Sequence, residues 1–422
     1  MTKHALTADE PLNYELYGHF DIPCGLKVSA ENSVRQLAKR GERTRLHSVK
    51  RSVVGVGPKL AAGPTVNFFH LNPNEFRVML SFPHEDPRFE DRLNVCVPFW
   101  ELPRVPDFWV PVLGNMDLVL APTQFVADAV RASMPDLPLG RIPQGVSIPA
   151  GVQPDRERFG LPQDAVVYGL SFSAEAVVER KNPWAAIKAF RQAFPTQRDV
   201  RLVVRASPGN VADPRPLWAR LRAYAENDER IIIPEQKLDY SGVMSLYASL
   251  DVYVSLHRAE GLGLGMMESM AMGVPVIATG WSGNMDFTTS ANSLLVDYRL
   301  IPIDVDPASP YGRRVMSTVE SWADADIGDA AAKMRLLYDD SSLRVRLGDQ
   351  AKRDMVAWNG TVERADFIDG VRAFYDSHSA RSAEHRQKAR TFRGIERSQR
   401  LRYPYYESRR LMGNTLRKLG LR

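Results

Sequence analysis

Short apolar runs alternate with amphipathic stretches along most of the chain, and the alternation falls into two blocks. Runs that are apolar on both faces and are separated by helices are typical of parallel strands covered on both sides. Both blocks therefore predict doubly wound α/β sheets. In the first block the apolar runs are 65–71, 93–99 and 117–123, with helical periodicity at 29–40 and 123–133. In the second block they are 165–172, 200–207, 230–234, 251–256 and 274–279, with helix-like stretches at 183–195, 216–226, 241–249 and 264–272.

A segment rich in proline and glycine, 141–164, separates the two blocks. We therefore predict two Rossmann-like domains that face each other across a cleft. Residues 324–377 predict two or three further helices. The predicted limits are 1–150 for the N-terminal domain, 151–360 for the C-terminal domain, 361–380 for a helix that packs back on the N-terminal domain, and 381–422 for a basic tail.

Composition adds few constraints. The chain is 44% hydrophobic and 25% charged, which is ordinary for a soluble protein. No apolar stretch is long enough for a signal peptide or a membrane-spanning helix. The two cysteines, Cys24 and Cys96, cannot form a disulfide framework, and their spacing does not suggest zinc. These features predict a cytoplasmic protein.

The positive charge is concentrated at the end of the chain. The net charge is +5, but residues 381–422 contain thirteen Lys and Arg against three Asp and Glu, so the preceding residues are mildly acidic. The tail interleaves arginines with aromatic residues and leucines. It could contact an anionic membrane at the inner face, bind an acidic partner, or be a solvated extension. Nucleic acid is not predicted as a partner, because the body is acidic and contains no recognisable reading module.

Candidate chemistry is concentrated in "SLHRAEGLGLGMMESMAMGVPVIAT", residues 255–279. Gly261, Gly263 and Gly265 would let the turn after a strand approach a ligand. A helix opening near Leu264 would aim its positive N-terminus at that ligand, which favours a diphosphate. Glutamates eight positions apart are common and usually solvated. The combination of strand, glycine turn and helix nevertheless favours a nucleotide-sugar site around Glu260 and Glu268.

These residues resemble the retaining glycosyltransferases of family 4, the glycosyl transferases group 1, whose fold is called GT-B. Their hallmark of two glutamates separated by seven residues corresponds to Glu260 and Glu268, although Leu262 stands where a phenylalanine is usual. "WELPRVP" from Trp100 and "RKNP" from Arg180 are similar to a bacterial subgroup with W-E-L-x-x-x-P and R-K-N-P motifs. The resemblance implies a hexosyltransferase-type enzyme of class EC 2.4 that transfers a sugar from a nucleoside-diphosphate sugar to a glycan or lipid-linked acceptor. Bacterial surface polysaccharide synthesis is the expected context.

The resemblance also implies roles for individual residues on the donor side. Glu260 is expected near the transferred sugar, and Lys181 on the donor diphosphate. The arginine that the family places five residues before that lysine is replaced by Ala176, and Arg180 could take its place or be a surface charge. The remaining residues expected to bind the donor are Glu268 on the ribose, the turn residues Gly261, Leu262, Gly263 and Leu264, Arg205, which could instead form a structural salt bridge, and Gly25 in the first glycine loop.

On the acceptor side the resemblance points to three residues. His70 follows an apolar strand and could contact the acceptor or the transferred sugar, although a lone histidine at a strand end is more often inert. Trp100 and Glu101 could line the acceptor side, and Trp100 is equally plausible in the core. No strand ends in an Asp-x-Asp pair, so we predict neither an obligatory metal nor a resident cofactor.

Two other functions share this fold. One is a catalytically inactive nucleotide-sugar-binding or partner subunit, which the missing arginine at Ala176 keeps open. The other is a phosphorylase-like enzyme, which would require a pyridoxal lysine and a much longer chain. The transferase is the prediction that the motifs favour.

Overall fold

The computed structural model describes residues 10–21, 25–48, 60, 62–75, 92–209, 211, 213–226, 228–305 and 320–378. They build two parallel sheets of six strands each, with helices on the sheet faces and a small antiparallel hairpin. The predicted α/β class with two doubly wound sheets is confirmed.

The first sheet occupies the N-terminal part of the chain. Its strands are β1 (Asn13–Gly18), β2 (Arg43–Ser48), β3 (Thr65–Phe69), β4 (Leu93–Cys96), β5 (Leu118–Ala121) and β6 (Leu139–Arg141). Its helices are α1 (Gly25–Lys39), α2 (Val110–Leu113) after a 3-10 turn at Asp107–Trp109, and α3 (Gln124–Ser133). The strands pair in parallel in the order β2-β1-β3-β4-β5-β6.

The second sheet has the same design. Its strands are β7 (Val166–Ser173), β8 (Val200–Ser207), β9 (Ile231–Ile232), β10 (Val252–Ser255), β11 (Val276–Thr279) and β12 (Ser293–Val296). Its helices are α4 (Val178–Lys181), α5 (Pro183–Ala193), α6 (Arg215–Ala225), α7 (Tyr240–Ala248) and α8 (Leu264–Ala271), with a 3-10 turn at Gly283–Asp286. The strand order is β12-β11-β10-β7-β8-β9, so the winding direction reverses between β7 and β10. Ligands of doubly wound sheets bind beyond the strand ends at such a reversal.

The rest of the chain ties the two sheets together. A hairpin of β13 (Tyr298–Pro302) and β14 (Ser321–Ala325) follows β12, and three helices close the described chain: α9 (Ile327–Asp339), α10 (Ser341–Glu363) and α11 (Phe367–His378). On α10, the Asn359 amide makes two hydrogen bonds with the backbone of Val146, at 3.0 and 2.9 Å, and so holds the linker between the sheets.

Helix α11 returns to the first sheet. Phe367, Ile368 and Val371 are buried in the core that β1, β3, β4 and β5 form. Next to them the Arg372 guanidinium donates to Glu42 at 2.8 Å, and Glu42 accepts a second bond from the Leu12 N–H. The end of the described chain therefore belongs physically to the domain in which the chain starts.

The sequence pattern missed some strands and misread one. Strands β1 and β2 were not predicted, because "NYELYG" and "RTRLHS" contain buried polar residues that hide their apolar side. The prediction of helix from residue 324 was wrong at its start. Residues Ser321–Ala325 form β14, where Trp322 is fully buried, and the helix begins only at Ile327.

Because Ile368 is completely buried in the first core, we expect Ile368→Ala to lower the free energy of unfolding by about 2–5 kcal/mol, through lost burial and the cavity left behind. Urea unfolding followed by circular dichroism measures this. Val356→Ala on the neighbouring α10 is the control, because Val356 is 67% exposed and its truncation should change stability little. Equal effects of the two variants would show that α11 is not part of the first core.

Candidate active site

The glutamate and glycine motif forms the turn between β10 and α8 at the carboxyl edge of the second sheet. Strand β10 ends at Ser255, and α8 begins at Leu264 after Gly263, whose φ of +96° lies in the left-handed region. Glycine adopts this conformation at little cost. The first N–H groups of α8 have no partner within the helix, and they lie at the positive end of its dipole. The helix start is therefore suited to an anion.

Two other glycines of the turn lie where a side chain would not fit. A Cβ on Gly261 would approach the Trp100 carbonyl oxygen of the first domain to 2.9 Å. A Cβ on Gly265 would meet the Tyr253 hydroxyl at 2.5 Å. Gly261 thus permits the first domain to touch the motif, and Gly265 permits α8 to lie directly on β10.

Glu260 lies in a buried cluster of charges beside this turn. The residue is 7% exposed, its carboxylate pairs with the Lys181 ammonium, and the Arg180 guanidinium lies 3.4 Å away. The N–H of Glu260 donates to Ser282 Oγ at 2.8 Å. Short helix α4 supplies both cations, so a single turn of helix carries the positive side of the cluster.

Arg180 connects the two domains. One terminal nitrogen donates to the Ala259 carbonyl at 2.7 Å and faces Glu260, and the other lies 3.4 Å from Glu101 in the first domain. The Arg180 side chain is 8% exposed. Its guanidinium is thus shared between two carboxylates, which makes it a bridge between Glu101 and Glu260 rather than an open anion site.

The Glu260 cluster is charged. Burial alone would raise the pKa of the Glu260 carboxyl, but Lys181 and Arg180 outweigh burial and lower this pKa to about 2. Burial lowers the pKa of the Lys181 ammonium, and the Glu260 carboxylate opposes that change. A carboxylate therefore faces an ammonium at neutral pH.

Glu268 has a different environment. It is 4% exposed on α8 and accepts a hydrogen bond from the Tyr240 hydroxyl at 3.0 Å. Within the described ranges, no cation lies at ion-pair distance from it. Burial raises the pKa of the Glu268 carboxyl to about 8, although the bond from Tyr240 opposes the increase. A ligand that donates hydrogen bonds to this carboxyl, such as a vicinal diol, would favour its charged form.

His257 and Arg258 hold the loop that precedes the motif. His257 is fully buried, with Nε2 at 3.1 Å from Asn284 Oδ1, and burial lowers its pKa. Arg258 pairs with Asp324 at 3.1 Å and lies over the Trp322 ring at 5.1 Å. Both side chains therefore stabilise the loop itself.

Polar contacts join the first domain to the motif side of the second. Thr123 caps α3 and donates from Oγ1 to the Gly261 carbonyl at 2.9 Å. Asp286 accepts from the Gln124 N–H at 3.0 Å and pairs with Arg141 at 2.5 Å. The structure is therefore one in which the domains are in direct contact across the motif.

The residues predicted on the N-terminal side lie at different depths. Gly25 opens α1, and a Cβ on it would lie 3.8 Å from the Leu264 side chain, so it faces the start of α8. His70 is fully buried, 3.4 Å from Ser29 Oγ, and burial lowers its pKa to about 3. The Trp100 ring lies in the core of the first domain, with its N–H bonded to the Arg104 carbonyl at 2.6 Å. Trp100 approaches the motif through its backbone, not its ring.

Arg205 lies on β8 and is 5% exposed. Its Nη1 donates to Ser171 Oγ at 3.0 Å, and its Nε has no hydrogen-bond partner. The alternative of a structural salt bridge is not seen: in the part of the chain that the structure describes, no carboxylate pairs with Arg205. Ser171 lines a small hollow together with Lys181, Glu260, Gly263 and Gly265.

The sequence pattern did not predict a role for several residues around the site. Tyr240 reaches Glu268 from the first turn of α7, and Ser282 and Asp286 come from the turn after β11. The segment "GWSGNMDF", residues 280–287, contains the last two, but a pattern alone does not show which of its polar groups face the motif. Thr123 had a signal, because threonine before a helical stretch is a common N-cap.

Two kinds of feature are absent from the described residues, and two predicted features lie outside them. Among them, no group of three or more His, Cys, Asp or Glu side chains is placed to hold a metal ion. No helix in the described ranges is long and apolar enough to cross a membrane. The predicted basic tail, 381–422, lies outside the described residues, and so does Cys24.

Comparison with known proteins agrees with this architecture. Residues 170–302 match the family model of the glycosyl transferases group 1. No curated protein matches the chain. Sucrose-phosphate synthase from Thermosynechococcus elongatus is similar in structure, with a TM-score of 0.60 and 14% identity over 85% of this chain and 98% of its own.

Two other solved structures are similar over nearly their whole length. A glycosyltransferase from Rickettsia africae ESF-5 gives a TM-score of 0.59 and 12% identity over 85% of this chain and 97% of its own. HepE from Anabaena, solved with UDP and glucose, gives 0.56 and 13% over 85% and 99%. In contrast, the chain spans only about half, 54–55%, of the TarM structures. The fold is GT-B, and residues 170–302 of the second domain are similar to the glycosyl transferases group 1.

The raised pKa of Glu268 predicts a pH-dependent stability. The pKa of the Glu268 carboxyl is about 8 in the folded state and near 4.5 in the unfolded state. The stability that the neutral carboxyl contributes is therefore fully present below pH 4.5 and is lost as the pH rises through 8. We expect Glu268→Gln to gain stability over the wild type as the pH rises, by at most about 1.4 kcal/mol per pH unit, until the difference levels off above pH 8. Urea unfolding of both proteins from pH 5 to pH 9 measures the difference. The control is Glu157→Gln, because Glu157 is exposed and its replacement should change stability little at any pH. A stability difference between Glu268→Gln and the wild type that does not vary with pH would contradict the raised pKa of Glu268.

Proposed function

We propose that this chain is a retaining glycosyltransferase that transfers a sugar from a nucleoside-diphosphate sugar to a hydroxyl of a glycan or lipid-linked acceptor, in the synthesis of a bacterial surface polysaccharide. The observation that carries the proposal is the arrangement around α8. The helix start is suited to an anion, and the Glu260 and Lys181 pair lies beside it. Glu268, which pairs with no cation of the described residues, lies on the same helix.

The donor is proposed to lie along this arrangement. Its diphosphate contacts the N–H groups of the turn at Gly263 and Leu264, together with Lys181. The ribose diol donates hydrogen bonds to Glu268, the one carboxyl here that is not neutralised by a cation in the described part of the chain. The transferred sugar then lies near Glu260. The HepE structure contains UDP and glucose, which supports a UDP-sugar as the first donor to test.

The proposed step replaces one bond at the anomeric carbon with another. The bond to the diphosphate oxygen breaks, the acceptor oxygen attacks from the same face, and the acceptor proton passes to the departing diphosphate, which gives retention. Charge grows on the diphosphate as it leaves, so Lys181 and the amides of α8 bind the transition state more strongly than the donor. The role of Glu260 is to hold Lys181 and to hydrogen-bond the sugar.

The first domain is proposed to supply the acceptor side and to exclude water. The bonds from Thr123 to Gly261 and from Gln124 to Asp286 hold it against the motif, which would limit transfer to water. His70, neutral at physiological pH because burial lowers its pKa to about 3, can offer a hydrogen bond to a sugar but carries no charge. Contact of 381–422 with an anionic membrane remains a prediction.

Thermal-shift and turnover measurements test the proposal together. We expect one of UDP, GDP, dTDP and ADP, or a sugar derivative, to raise the melting temperature without dependence on EDTA, and Glu268→Ala to lose most of that shift. Release of the nucleoside diphosphate from the sugar donor should fall roughly 100- to 1,000-fold in Lys181→Gln, because a donor to the developing charge is removed. Lys188→Gln, an exposed lysine on α5, is the matched control.

The outcomes separate the candidate functions. A nucleotide shift without release of diphosphate, even with acceptor glycans supplied, would favour the inactive nucleotide-sugar-binding subunit. No shift with any nucleotide would exclude the donor site. A shift that EDTA abolishes would contradict the proposal that no metal is required.

A further inference from the structure

Arg205 is a buried cation that has no carboxylate partner among the described residues. It is 5% exposed, and its Nη1 donates to the neutral Ser171 hydroxyl at 3.0 Å, while its Nε finds no hydrogen-bond partner in the described ranges. Arg230 of the same domain shows how a buried arginine is usually balanced, since it is 9% exposed and pairs with the Asp228 carboxylate at 2.7 Å. A buried charge without a partner is costly, so such a residue is expected to have an anionic ligand in the working protein.

The position of Arg205 indicates where that ligand would lie. Ser171, which accepts from its guanidinium, lines the hollow that is also lined by Lys181, Glu260 and the first residues of α8. Tyr253, which lines the same hollow, has its hydroxyl beside Gly265 and 3.4 Å from the Ser171 carbonyl. The guanidinium is therefore one hydrogen bond away from the proposed diphosphate site.

The other charges beside the hollow balance one another, so Arg205 is the charge in excess. Lys181 and Arg180 supply two positive charges, but Glu260 and Glu101 pair with them and supply two negative ones. This group is therefore close to neutral, and a diphosphate that enters beside it gains little net attraction from it. Arg205, which donates to Ser171 in the wall of the hollow, is a positive charge that no carboxylate of the described residues offsets.

We infer that Arg205 is the second cation of the donor diphosphate site, and that it acts with Lys181 in place of the arginine that this chain lacks at Ala176. Arg180 instead positions Glu260 and Glu101 across the domain boundary. The inference rests on the proposed function, because it assumes a nucleoside-diphosphate donor in this hollow. It assigns the second diphosphate-binding cation to Arg205 rather than to Arg180. It also predicts that Arg205 on β8 recognises the phosphates of the donor and not its nucleoside.

Titration calorimetry with UDP, UMP, uridine and inorganic diphosphate tests the inference, or with the matching series of whichever nucleotide the wild type binds. We expect Arg205→Gln to weaken binding of the nucleoside diphosphate and of inorganic diphosphate roughly 10- to 100-fold, because it removes hydrogen bonds from a charged donor. Uridine should bind as it does to the wild type, and Arg205→Lys should recover part of the loss. Arg180→Gln should keep most of the nucleotide affinity and lose turnover.

Two controls separate a binding role from a structural one. Without ligand, Arg205→Gln should melt no lower than the wild type, because it removes an unbalanced buried charge. Arg201→Gln, four residues earlier on the same strand and only half-buried, should leave all affinities unchanged.

The inference would be overturned if Arg205→Gln bound UDP as tightly as the wild type, or if it weakened uridine as much as UDP. Either result leaves the proposed function intact, since the wild type would still bind the nucleotide. A wild type that binds none of the nucleotides would overturn the proposed function, and this inference with it.

Discussion

The arrangement of the site depends on the buried Glu260 carboxylate and the two cations that α4 holds against it. A carboxylate that is 7% exposed is stable as an anion only with such partners, and its pKa of about 2 reflects them. Both cations lie on α4 after β7 and Glu260 lies in the turn after β10, so the cluster joins the two strands between which the winding direction reverses. Pairing them therefore fixes the geometry of the edge at which a doubly wound sheet binds ligands.

The same cluster connects the domains because Arg180 also pairs with a carboxylate of the first domain. Glu101 belongs to the first domain, and its contact with Arg180 can form only when that domain lies against the motif. Gly261 has the complementary role, since the absence of a side chain lets the Trp100 carbonyl approach. Domain contact and the position of Glu260 are therefore linked through one guanidinium, and a motion that separates the domains would also loosen the Glu260 carboxylate.

Much of the second domain could be predicted from its sequence, because its strands are apolar on both faces and its helices begin and end near the expected residues. The start of α8 at Leu264 was predicted correctly for the same reason. Strands β1 and β2 were missed because Glu15 and His47, which pair with each other in the interior, read as surface residues in isolation. Residues 324 and 325 were wrongly included in the helix that follows them, whereas pairing with β13 and burial of the neighbouring Trp322 hold Ser321–Ala325 as a strand.

The partners of charged side chains were beyond the reach of the sequence, and the two arginines show why. Arg180 stands next to the expected lysine in "ERKNP", a position that favours it as the replacement for the missing arginine, but the direction of its side chain depends on Glu101, which is distant in the chain. Arg205 is one of two arginines in the apolar strand β8, and a structural salt bridge was nearly as reasonable an interpretation. Only the register of β7 against β8, which pairs Ser171 with Arg205, shows that its neighbour is a neutral hydroxyl at the edge of the hollow. The charge of a site is thus a property of which groups remain unpaired after folding, and not of which charged residues a motif contains.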